Sequence, residues 1–257
     1  MKKKNYLKIK NYVEFLKIAL KRTRSEADYF IFQKIQGQFL IKYLLSIDIN
    51  LNDYYILDLA NGYGGGTHEL TSYSKKVFGL DLNNLFRSNS INQVSGNALQ
   101  TPFQDNTFDL IICSSLIEHL EQPEKLLCEI KRILKPNQYL YLSYPPFFSI
   151  NGGHDYAPFH LLGEKAAVIL SKFFSKIMMK KKFGKKLEIS NSFKNAYGNW
   201  GLYKMTIING RQLINNSGFK ILDQSTKWIP MNFSQIPIIG EFLTWHIQFL
   251  LVNEKYE

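Results

Sequence analysis

Apolar side chains recur at two spacings along this chain, and the switches between them mark out its elements. Over residues 11–46 they fall three and four apart (Tyr12, Phe15, Leu16, Ala19, then Phe32, Ile35, Phe39, Tyr43), which predicts two helices. A turn is expected at 48–53. Short apolar runs then alternate with helical stretches. Strands are expected at 54–60, 77–81, 91–95 (the weakest), 108–114 and 139–143. Helices are expected at 67–74 and 123–134, the second closed by Lys135-Pro136-Asn137. The run Leu110-Ile111-Ile112 is apolar without alternation, as in strands covered on both faces.

The pattern pauses over 144–205. It resumes with a helix at 206–217, a stop at Gly218, a strand at 219–224 and a last apolar run at 242–252. That ending reads as an antiparallel hairpin. The expected architecture is α/β: a Rossmann-like, doubly wound sheet of seven strands with an antiparallel last strand. Residues 1–50 would form a helical cap. Residues 51–257 would form the main domain, with 144–205 as a helical insertion after the fifth strand that serves as a substrate lid.

The first strand runs into Ala60-Asn61-Gly62-Tyr63-Gly64-Gly65-Gly66-Thr67. A strand, a glycine-rich turn and a helix start together make a ligand-binding turn, because glycine lets a ligand approach the backbone and the helix start offers unpaired N–H groups. Asp81 ends the second strand, where an acid in a doubly wound sheet reaches a ribose carrying two free hydroxyls. The turn lacks the Lys and Ser/Thr of a phosphate-cradling P-loop. A dinucleotide fold would place glycine at Ala60, which disfavours that alternative.

Residues 58–145 resemble the class I methyltransferases that use S-adenosylmethionine (SAM), in particular the branch containing quinone-biosynthesis and other small-molecule enzymes. Four blocks carry the resemblance in order: Asp58-Leu59-Ala60-Asn61-Gly62-Tyr63-Gly64; Gly79-Leu80-Asp81; Gly96-Asn97-Ala98-Leu99-Gln100-Thr101-Pro102-Phe103 with Asp105-Asn106-Thr107-Phe108-Asp109; and Glu118-His119-Leu120, Pro123, Leu134-Lys135-Pro136. The resemblance implies SAM as cofactor. It implies that Asp58, Gly62 and Gly64, with Ala60 in place of the usual first glycine, line its methionine end. Asp81 would hold the ribose. Asn97, replacing the usual aspartate, and Ala98 would flank the adenine, with Ser114 and Leu116 nearby. The segment between the second and third strands is short, which leaves a crossover helix of about two turns. Tyr144-Pro145-Pro146-Phe147 is similar to the Pro-Pro-aromatic motif of amino-methylating DNA enzymes. It follows the fifth strand, whereas theirs follows the fourth, so it reads as an exit turn.

Beyond the fifth strand lies Asn151-Gly152-Gly153-His154-Asp155-Tyr156-Ala157-Pro158-Phe159-His160. Open α/β sheets bind ligands at that edge. His154 is the candidate general base. Tyr144, Asp155, Tyr156, His160 and, from the fourth block, His119 are candidate acceptor contacts. No sequence cluster has metal-ligand spacing, so no metal is expected.

The net charge is +11 and is concentrated. Residues 1–24 hold nine Lys or Arg and one acid, and residues 158–186 hold eight Lys and one acid. Residues 159–186 read as one basic amphipathic helix, with Leu162, Ala166, Ile169 and Phe173 on its apolar side. Such segments suit an anionic membrane face or nucleic acid, or are plain solvated surface. Two cysteines, Cys113 and Cys128, make no disulfide framework and are expected as buried small apolar groups. The expected setting is cytoplasmic, peripheral to the inner membrane face if the basic helix binds lipid. The expected activity is methyl transfer to a small-molecule, glycan or lipid-linked acceptor. The alternatives are an RNA methyltransferase using the basic arms, a related aminopropyl- or other group-transfer enzyme, and a non-catalytic binding protein with this fold.

Overall fold

The structure is a computed structural model and describes residues 9–83, 92–197, 200–229 and 231–254. Its centre is a seven-stranded sheet in the order β3-β2-β1-β4-β5-β9-β8. The strands are β1 (Ile56–Leu59), β2 (Val77–Asp81), β3 (Asn92–Ser95), β4 (Phe108–Ser114), β5 (Leu134–Tyr144), β8 (Lys220–Thr226) and β9 (Ile247–Val252). Strands β1 to β5 pair in parallel, and β9 runs antiparallel to both β5 and β8. The expected architecture is therefore the observed one.

Continuous apolar runs form these strands because helices cover both faces. On one face Leu57, Ile111, Leu140, Leu142, Phe249 and Leu251 pack with α4 (Pro123–Ile133) and α6 (Ile207–Asn216). On the other, Ile56, Leu110, Ile112, Tyr141 and Leu250 pack with Leu40, Tyr43 and Leu44 of α2 (Glu26–Ser46) and Leu70 of α3 (Gly65–Leu70). Neighbours in sequence thus serve opposite cores, as a period of two requires. Helix α2 starts where the Ser25 hydroxyl accepts the Asp28 N–H, and α6 where Thr206 accepts from Asn209. Helix α1 (Ile9–Ala19) adds Phe15, which stacks on Trp228 with ring centroids 4.2 Å apart.

Helices α2 and α3 cross at glycines. A Cβ on Gly65 would lie 2.3 Å from the Phe30 carbonyl oxygen and 2.8 Å from the Lys34 nitrogen, and one on Gly37 would lie 2.9 Å from the Gly66 Cα. Gln33 fills the crossing: its amide donates to the Asn61 carbonyl and its side-chain oxygen accepts the Gly65 N–H, both at 3.3 Å. Gly65→Ala must push one helix off the other, so it is expected to cost about 3 kcal/mol. Thermal unfolding should fall by about 10 °C, and an unchanged midpoint would show that the crossing is loose.

Four expectations are corrected. Lys135-Pro136-Asn137 does not close a helix before the strand; it lies inside β5, which begins at Leu134, and the irregular stretch is absorbed by a register shift opposite Phe108 and Leu110. Residues 159–186 are not one helix. Gly163, with φ of +88°, separates a short turn of 3₁₀ helix (Phe159–Leu162) from α5 (Glu164–Ile177), and the lysines beyond pair as a hairpin of β6 (Lys181–Lys182) and β7 (Lys185–Lys186). Strands β8 and β9 are antiparallel but are not joined by a tight turn: helix α7 (Ile239–Leu243) sits between them. Cys113 is buried in β4, but Cys128 is exposed on the outer side of α4. The short crossover expected between the second and third strands falls mainly on 84–91, outside the described residues.

Candidate donor cleft and its acceptor wall

A cavity of about 230 Å³ opens at the carboxyl ends of β1, β2 and β4. Its donor side is lined by Ala60, Leu80, Asp81, Ala98 and Leu116 and its other side by His119, Tyr197 and Trp200. The position follows from topology: the chain leaves β1 toward β2 on one side and β4 toward β5 on the other, which opens a crevice between them.

The glycine turn is held from below. Gly62 and Gly64 have φ of +56° and +76°, where a side chain is strained. The Gly62 N–H donates to Asp81 Oδ2 and the Asn83 N–H to Asp81 Oδ1, both at 2.9 Å, so the carboxylate is aimed before any ligand arrives. Ala60 has φ of +59°. Replacing the usual glycine therefore costs backbone strain, about 1 kcal/mol, and not merely bulk. Ser115 (+56°) and His154 (+47°) share that left-handed conformation.

Asp58 lies under the turn and accepts a 2.6 Å hydrogen bond from Thr67. Burial pushes its carboxyl up to about 6, against the Thr67 hydrogen bond and the charge of Lys227. Lys227 follows β8, is buried, and donates to Ser114 Oγ at 3.3 Å. Burial lowers its ammonium to about 7, with Asp58 opposing the fall. Ser114 also shares a 2.8 Å hydrogen bond with Ser143. Asn97 is exposed, and its side-chain oxygen accepts the Leu99 N–H at 2.9 Å, closing a turn beside Ala98.

Of the candidate acceptor contacts, three are buried. Tyr144 is fully buried and its hydroxyl donates to the Thr206 carbonyl, so it is core. Tyr156 is buried against Phe193, with its hydroxyl on the Ser190 and Ser192 carbonyls. His160 is buried, with Nε2 2.7 Å from the Phe147 carbonyl; burial lowers its pKa. Asp155 pairs with Lys182 at 3.7 Å. His119 faces the cavity, and burial lowers its pKa despite neighbouring Glu118. His154 stands beside it, ring centroids 4.9 Å apart. Sequence reasoning missed Glu118, which is buried beneath both histidines, and Lys227.

The insertion is fastened to the donor turn. Tyr29 of α2, Tyr63 of the turn and Phe183 of the β6–β7 hairpin form an edge-to-face triad with centroids 5.6 to 5.9 Å apart. The Phe183 N–H donates to the Thr23 carbonyl at 2.7 Å.

These features make a crevice at the switch point of the sheet with an acid at the end of β2, the place where doubly wound folds hold a ribose. Residues 57–142 match the family described as "Methyltransferase domain". The chain is 34% identical over 110 residues to an uncharacterized protein of Methanocaldococcus jannaschii, spanning 42% of this chain and 46% of that one. It is 34% identical over 125 residues to the ubiquinone/menaquinone biosynthesis C-methyltransferase UbiE of Cronobacter sakazakii, spanning 42% and 50%. These matches thus cover about half of each relative. A SAM-dependent methyltransferase from Clostridium acetobutylicum superposes with a TM-score of 0.55 at 12% identity, over 85% of this chain and 91% of that one. Residues 57–142 thus match a methyltransferase domain, and the fold is shared with a solved SAM-dependent enzyme, which makes SAM the cofactor to set against the site. The residues present fit that molecule: a prealigned carboxylate for ribose hydroxyls, small and apolar walls at Ala98 and Leu116, and a turn whose backbone is free to approach it.

Proposed function

We propose that this chain transfers a methyl group from SAM to an amphiphilic acceptor, small or lipid-linked, held between the glycine turn and the insertion. The observation that carries the donor half is Asp81, fixed by two backbone N–H groups in the cavity wall. When bound, SAM supplies a methyl group already activated by sulfonium charge. The chain's part is then chiefly alignment, for which roughly 7–11 kcal/mol is available. Ala98 and Leu116 present apolar surface to the adenine, and Asp81 accepts from the ribose. Titrating the protein with SAM and with its demethylated product by calorimetry tests this half. Micromolar binding of both is expected, and no binding of either would sink it.

The acceptor half is supported by α5. Its inner residues Ala167, Ser171 and Ser175 are buried, while Ile169 and Phe173 are 67% and 58% exposed and Met179, just beyond, is 78% exposed. Lys165, Lys172, Lys176 and Lys180 stand among them. An apolar stripe edged by lysines suits an anionic lipid surface, where each cation adds roughly 1 kcal/mol. No helix among the described residues is long and apolar enough to cross a membrane. The intact protein should float with phosphatidylglycerol vesicles at low salt, and Ile169→Glu with Phe173→Glu should abolish flotation. Failure of the unaltered protein to float would remove the lipid-linked acceptor and leave the donor reading standing.

A further inference from the structure

We propose that Glu118, His119 and His154 form a site for one divalent transition-metal cation in the acceptor wall of the cleft. Their ligand atoms lie within 4.8 Å of one another. Glu118 Oε1 is 3.9 Å from His119 Nε2 and 3.7 Å from His154 Nε2. Those separations are too long for hydrogen bonds. Around one ion with bonds of about 2.0–2.2 Å, ligand atoms sit roughly 3.3 Å apart in a tetrahedron, so the two Glu118–histidine separations need close by about 0.4–0.6 Å and the third, within 4.8 Å, by up to about 1.5 Å, a side-chain adjustment.

The second observation is what these atoms lack. Glu118 is 2% exposed, and neither carboxylate oxygen has a hydrogen-bond partner; His154 Nε2 is also buried without one. A buried carboxylate facing two ring nitrogens, with nothing donated to it, is an arrangement that a cation completes. The fold supports the geometry from behind. His119 Nδ1–H donates to the Gly201 carbonyl at 2.8 Å, which turns Nε2 toward Glu118, the usual outer contact of a metal-binding histidine. The Tyr203 N–H donates to the Glu118 carbonyl at 2.9 Å. His154 is held by a loop that only glycines permit: a Cβ on Gly152 would lie 2.1 Å from the Pro146 carbonyl oxygen, and one on Gly153 would lie 2.1 Å from the His160 ring. His160, itself tied to Phe147, packs against Gly153 next to His154.

Two imidazoles and one carboxylate select zinc, iron(II) or another late first-row ion over magnesium or calcium. Three protein ligands leave coordination positions open, and His119 lines the cavity, so the ion would take an oxygen of the acceptor. That last statement rests on the methyltransferase reading; the cation site does not.

The test uses the full-length, untagged protein after chelator treatment. Zinc titration by calorimetry should show one site, and cobalt(II) should give the visible absorption of a low-symmetry nitrogen and oxygen environment. Glu118→Gln and His154→Ala should each weaken zinc binding at least tenfold. In metal-free protein Glu118→Gln, which replaces the unpartnered carboxyl group, should raise the thermal midpoint, and zinc should raise it only in the unaltered protein. No zinc or cobalt binding by the unaltered protein, or equal binding by folded Glu118→Gln, overturns the site. SAM titrated into the same samples separates the two ideas: zinc binding without SAM binding would sink the donor reading alone, and SAM binding without zinc binding the cation site alone.

Discussion

Asp81→Ala is expected to lose SAM affinity by about 10²- to 10³-fold while the fold stays intact. An ionised acceptor contributes about 1.5–3 kcal/mol per hydrogen bond, and two ribose hydroxyls would meet one carboxylate. The side chain is already fixed by the Gly62 and Asn83 N–H groups, so binding spends little on ordering it. The same two N–H groups lie at the cleft and can turn to water when the carboxylate is removed, so the thermal midpoint should move by only a few degrees. Calorimetry alongside thermal unfolding checks both. Unchanged affinity would place the ribose elsewhere. A collapse of the midpoint would mean that Asp81 holds the turn and not the ligand.

Lys227→Met is expected to stabilise the protein at pH 7 by 2 kcal/mol or more, about 4–8 °C for a chain of this size. Burial lowers the ammonium from its ordinary range to about 7. Between pH 7 and about 10.4 the unfolded chain therefore binds a proton that the folded chain lacks. Stability from this group must rise with pH across that window and is lowest below it. Asp58, raised to about 6, acts the other way: from about pH 4 to 6 the folded chain holds the extra proton, so stability falls as pH rises. The two together should leave a shallow minimum near neutrality. In Lys227→Met the rise above pH 7 should vanish, and the gap between the two proteins should close by pH 10. A midpoint that falls at every pH would show that the ammonium is needed by Ser114 and the rings of Tyr141 and Trp228 around it. Because Lys227 faces Asp58, the stabilised variant should also bind SAM less tightly, as when a strained site is relaxed.

Much of this was legible in the chain. Leu110-Ile111-Ile112 reads as a doubly covered strand, and the glycines after Leu59 read as a ligand turn, because local spacing and backbone freedom decide both. What failed was direction. Tyr144 and Tyr156 flank the correct edge, but proximity in sequence does not say which way a side chain points, and both point into the core. Residues 159–186 carry one helical period throughout, yet Gly163 adopts a conformation that breaks it. Glu118 belonged to a quoted motif and His154 was singled out, but their convergence is tertiary: spacing carries no trace of two loops folding onto one point. Lys227 sits beyond a strand end with nothing in its neighbours to announce burial.

The crossing at Gly37 and Gly65 bears on how such a chain can be rebuilt. Gln33 satisfies the first N–H of α3, so a stretch that precedes the sheet in sequence supplies part of the floor of the donor turn. A recombination joint placed between α2 and β1 would sever that floor, and joints at either end of the insertion would cut buried chain, at Tyr144, Pro145 and Pro146 on one side and Leu202, Met205 and Thr206 on the other. A rebuilt chain that keeps the glycine turn must therefore carry the N-terminal helices with it.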